Sequence, residues 1–135
     1  MQHDEFVGQV QHDARLPSRG RAETAIRATL ETLGERLQES SAEKIASQLP
    51  PEIGLALERV AHGQRFTLPQ FVERVAEREH TRPEEARRHV EVVFKTLTRA
   101  LSPGAAEKLR HQLPSELAKM LVPEEHEIPL AKWLC

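Results

Sequence analysis

Cysteine occurs once in these 135 residues, at Cys135; tyrosine is absent, tryptophan occurs once and phenylalanine four times. A single cysteine excludes an intramolecular disulfide framework, and so few rings leave the core to Leu, Val, Ile and Ala. No sign of charge dominates: 19 Lys and Arg face 21 Asp and Glu, a formal net charge of -2. Global attraction to nucleic acid or an anionic membrane is therefore not expected. No apolar run approaches the roughly 18 residues that cross a bilayer. Met1 to Val10 contain no apolar signal segment, so a cytoplasmic location is the expectation. The six glycines form no phosphate cradle. Cys-x-x-Cys, His-x-x-x-His and His-Glu-x-x-His spacings are missing, which removes the usual sequence frames for a metal.

What is present is a repeat. Gln48-Leu49-Pro50 recurs 64 residues later as Gln112-Leu113-Pro114, and at that displacement Leu33 meets Leu97, Leu37 meets Leu101, Ile45 meets Leu109, Ile53 meets Leu117 and Leu57 meets Leu121. Phe6-Val7 and Val10 meet Phe71-Val72 and Val75 at 65 residues, which places a one-residue length change in the loop before the second helix of each copy, where it costs least. Ala22, Ala25, Ile26, Thr29, Leu30, Leu33 and Leu37 follow steps of three and four, as do Ala86, His89, Val90, Val93, Phe94, Leu97 and Leu101. Such steps suit a helix with one buried face, not the period of two of a strand.

Starts and stops agree. Thr67 with Gln70 can close a capping box, Phe66 and Phe71 can staple it, and Ser40 with Glu43 offers a second box. Pro83 and Pro103 suit first turns, and Pro50-Pro51 and Pro114 divide short helices. Each copy then reads as four helices: Asp4 to His12, Arg21 to Gln38, Ser41 to Gln48 and Glu52 to Ala61, followed by Pro69 to Glu79, Pro83 to Ala100, Pro103 to His111 and Ser115 to Leu121. The expected fold is all-α: two pseudo-symmetric four-helix units, residues 4–61 and 67–121, packed as one compact bundle within a single domain of residues 1–135. His62 to Arg65 form the linker, and residues 122–135 a C-terminal tail.

Asp4-Glu5-Phe6, the stretch Ala25 to Leu37, Gln48 to Ile53, and the echoes Phe71 to Ala76 and Gln112 to Leu117 resemble the bacterial family called domain of unknown function 2267 (DUF2267). The resemblance extends through Leu121. It implies a helical duplication and carries over no catalytic residues.

The residues themselves offer little chemistry. Glu85 and His89 lie four apart on one helical face, with Glu79-His80 one loop upstream; they read as an exposed pair beside a histidine on the rim of the core. Cys135 sits beside its own carboxylate, which opposes thiolate formation, and Ser40, Ser41 and Ser102 read as helix-start residues. Arg82, Arg87, Arg88, Lys95 and Arg99 lie in or just before one helix, but Glu84, Glu85 and Glu91 interrupt the field. No catalytic, cofactor or metal residue is assigned. The tail is the better candidate for an interaction: Ile128, Leu130, Trp133 and Leu134 are four large apolar side chains within seven residues, following the acidic stretch Glu124 to Glu127. The reading is a non-enzymatic protein-interaction or scaffold module, with a protein partner or a homodimer as its partner. The alternatives are a small-molecule site or enzyme with a pocket between the repeats, and a weak nucleic-acid binder.

Overall fold

Three hydroxyls begin helices here. Ser18 Oγ accepts from the Arg21 amide, Thr67 Oγ1 from Gln70, and Ser102 Oγ from Ala105, each satisfying a donor that has no intrahelical partner. Gln70 returns the bond to the Thr67 amide at 2.8 Å, closing the expected capping box, and the Phe66 and Phe71 rings meet 6.1 Å apart beside it. The computed structural model describes residues 1–121. Within them run α1 (His3–Asp13), α2 (Arg19–Arg36), α3 (Glu39–Ala46), α4 (Pro51–Glu58), α5 (Leu68–Glu79), α6 (Pro83–Ala100), α7 (Pro103–His111) and α8 (Ser115–Ala118), the last continued by a 3-10 turn, Lys119–Leu121. No strand occurs among the described residues.

One cap falls elsewhere than expected. α2 ends at Arg36 and α3 begins at Glu39, so Gln38 takes the cap position and Ser40 lies inside the first turn. Leu37, extended and buried, leaves no length for a later start.

The two units are pseudo-symmetric. α2 and α6 each have 18 residues, and α1 and α5 are each followed by a left-handed residue, Arg15 (φ 54°) and His80 (φ 56°), 65 positions apart. The one-residue change follows immediately, as Leu16-Pro17-Ser18 against Thr81-Arg82. The first helix of each unit lies against both long helices, α1 on α2 and α6, α5 on α6 and α2, while α2 meets α6 and α3 meets α7. Every residue of both apolar stripes is buried. The rings of Phe71 and Phe94 meet edge-on at 5.7 Å.

α4 crosses α2 at Gly34, where a Cβ would strike the carbonyl oxygen of Leu57; at the matching crossing Thr98 Oγ1 donates to the carbonyl of Leu121 at 3.2 Å. Small size in one unit and a hydroxyl in the other solve the same close approach.

The seam between units is polar at its edges. Arg78 holds Glu35 with two bonds of 3.0 and 2.8 Å and donates to Thr32 Oγ1 at 2.6 Å; Arg74 reaches Glu35 at 3.2 Å and stacks 3.9 Å over Phe66. The linker is pinned to the same place, with the Gly63 and Gln64 amides bonded to the Leu37 and Glu35 carbonyls at 2.8 Å. At the matching positions the charges are exchanged: Asp13 stands for Arg78 and Arg99 for Glu35, 4.0 Å apart, and Gln9 supports Asp13 at 2.9 Å where Arg74 supports Glu35.

Burial alone would raise the Glu35 pKa, but the hydrogen bonds and charges of Arg78 and Arg74 outweigh it and hold the carboxyl below its ordinary value. A depressed folded-state pKa contributes stability above the unfolded value, about 4.3, and that contribution is lost as pH falls through the folded value. Glu35→Gln is therefore expected to lower stability at pH 7 by about 1–3 kcal/mol, and the gap from wild type should close below about pH 4. Urea unfolding at pH 7, 5 and 3 checks this; a gap that is constant with pH contradicts it.

Candidate functional site

The sequence pairs His89 with Glu85, but α6 turns them to different partners. Glu85 Oε2 accepts from Thr81 Oγ1 at 3.0 Å. His89, on the buried stripe rather than at its rim, is 1% exposed and meets Glu79, 3% exposed, at 2.7 Å through Nδ1. The left-handed turn at His80 folds the end of α5 back over α6 and brings the pair together. His89 Nε2 and Glu79 Oε2 have no partner among the described residues. In the first unit the matching positions are Ala14 and Ala25, both fully buried. The corner can thus be filled by two methyl groups, and the second unit fills it with a hydrogen-bonded pair sealed from solvent. No group of three His, Cys, Asp or Glu side chains among the described residues could hold a metal.

An accessible site lies instead where α3 and α7 face each other. These helices touch only briefly and leave a half-open groove of about 630 Å³, within the usual range of small-molecule sites. Its walls are matched pairs 64 residues apart: Ser41 with Ala105, Lys44 with Lys108, Ser47 with His111, and Gln48 with Gln112. The repeated Gln-Leu-Pro now has a second role besides making a corner. Gln48 Oε1 accepts from the Ser102 amide at 2.9 Å, tying one unit to the cap of the other's third helix and fixing the end of the groove.

Among the described residues, none lining the groove is acidic, and none places a carboxylate within ion-pair distance of Lys44 or Lys108. A second cleft of about 360 Å³, between α1, α2 and α4, differs in kind: over Val7, Ile26 and Ile53 it sets Glu23 and Glu52 beside Arg27 and Arg59, so its charges offset one another.

A profile described as "Uncharacterized conserved protein (DUF2267)" matches residues 3–120. The chain belongs to the DUF2267 family. A comparison with curated proteins finds no match, so the DUF2267 description leaves the chemistry of the site to be read from its residues.

The arginines singled out on α6 each have a partner. Arg87 pairs with Glu91 at 3.5 Å, Arg88 donates to the Ala14 carbonyl at 2.6 Å, and Arg99 faces Asp13. Ile128, Leu130, Trp133, Leu134 and Cys135 lie outside the described residues. No helix among the described residues is long and apolar enough to cross a membrane.

Removing either partner of the buried pair strands the other. Glu79→Ala and His89→Ala are each expected to cost about 3–5 kcal/mol, while the double substitution, which recreates the two alanines of the first unit, costs less than their sum by at least about 1 kcal/mol. Denaturant unfolding of the four-member cycle measures the coupling; additive losses would show that the hydrogen bond contributes nothing beyond packing.

Proposed function

We propose that this DUF2267 protein is a non-enzymatic helical binding module that holds its partner in the groove between α3 and α7. The observation that carries the reading is the convergence of Lys44, Lys108 and His111, without an acidic side chain, on a cleft of ligand size at the junction of the two units. Among the described residues that line the groove, no hydroxyl is hydrogen-bonded to a base. The Ser47 hydroxyl donates to the Lys44 carbonyl at 2.7 Å, and the Ser102 hydroxyl caps α7; neither is set against a base.

A protein contact or homodimer through Ile128, Leu130, Trp133 and Leu134 is the second reading, favoured by the density of apolar side chains in that stretch. It is compatible with an occupied groove, since the two surfaces use different residues.

Gly104 lines the groove, and a Cβ added there meets nothing within 4 Å. A side chain starts there without a clash, and Gly104→Trp is therefore expected to obstruct the cleft with the melting temperature close to that of wild type. Native mass spectrometry of both proteins recovered from the same cell extract is expected to show molecules retained by wild type and lost from the variant. Equal retention by a variant that still folds would move the site elsewhere.

A further inference from the structure

We infer that the groove between α3 and α7 is a site for a small molecule that carries two or more negative charges. The inference rests on the groove being the binding site and names the chemistry that it selects.

The first argument is the sign of the charge. The lining carries Lys44 and Lys108 and, among the described residues, no acidic side chain. Each ammonium is a point charge with three donors and serves phosphate and carboxylate oxygens alike.

The second argument is placement. Lys44 and Lys108 stand at matching positions on opposite walls, and His111 joins the lining where the first unit has Ser47. Gln48 spends its carbonyl oxygen on the Ser102 amide, which leaves its amide nitrogen as a donor at the groove.

The third argument concerns size. The walls are helices, whose interior backbone groups are already bonded to one another, so an extended peptide laid here finds no main-chain partners. Ile45 and Ala105 are the apolar side chains of the lining, too little to seat an amphipathic helix. A small molecule with two or more negative charges uses what the groove provides.

The test uses the full chain and sodium pyrophosphate, at constant ionic strength, followed by amide NMR shifts. Saturable shifts confined to residues 41–48 and 102–112 are expected, weakened at least tenfold in Lys44→Gln and in Lys108→Gln and abolished in Gly104→Trp, with each variant's fold verified by its amide spectrum. Citrate, a polycarboxylate, is expected to shift the same residues, and uncharged glycerol at the same concentrations to shift none of them. Glycerol shifts as strong as those of pyrophosphate would overturn the anion assignment while leaving the groove as the site. Pyrophosphate shifts that persist in Gly104→Trp, or that fall outside those residues, would overturn the groove itself. An absence of any shift up to millimolar pyrophosphate would overturn the ligand class, and the retention experiment with Gly104→Trp then decides whether the groove survives as a site.

Discussion

α2 has neighbours on almost every side. Besides its expected stripe it buries Ala28, Thr32 and Gly34, and α1, α4, α5 and α6 all pack against it. A helix enclosed in this way cannot carry large side chains on every face, because protein interiors are filled at near-crystalline density. The small residues are where neighbours come closest. Gly34 admits the backbone of α4, and Thr32 satisfies its hydroxyl twice, donating to the Ala28 carbonyl at 2.8 Å and accepting from Arg78. α6 is less enclosed and carries the larger side chains Val93 and Phe94 on its buried face.

From this follows the sharing of first helices between the units. Neither unit covers its own long helix fully, so α5 closes α2 and α1 closes α6, and the polar seam aligns those crossings. Exchanged signs at matching sites, Glu35 with Arg78 and Arg99 with Asp13, preserve attraction while making the two crossings unlike. Gln48 carries the same coupling to the outer face, where it fixes α7 against α3. The groove is thus a product of the assembly: each unit supplies one wall, and neither unit alone would contain it.

Periodicity made the two long helices legible, because fourteen stripe positions repeat at steps that only a helix satisfies. The buried histidine was visible as a stripe position but not its partner. Spacing within one helix points to Glu85, whereas the true partner arrives from α5 through the left-handed turn at His80. The aligned units carried a signal for it, since Ala14 and Ala25 become Glu79 and His89 together. Alignment also held the answer at α3: Ser102 caps α7, and the residue 64 positions earlier is Gln38, not Ser40. The groove could not be read along the chain. Lys44 and Lys108 are separated by a full repeat of 64 residues, and only the pairing of α3 with α7 sets them on facing walls.

Amide hydrogen exchange in the native state tests most directly whether the two units form one cooperative body. The slowest amides of α2, around Leu30 and Leu33, and those of α6, around Val93 and Leu97, are expected to share one opening free energy equal to that of global unfolding. Glu35→Gln is expected to lower both by the same amount, although it lies in only one of the two helices. Two distinct opening energies, or a response confined to α2 and α5, would contradict the account, for the units would then open independently and the groove would not depend on the seam.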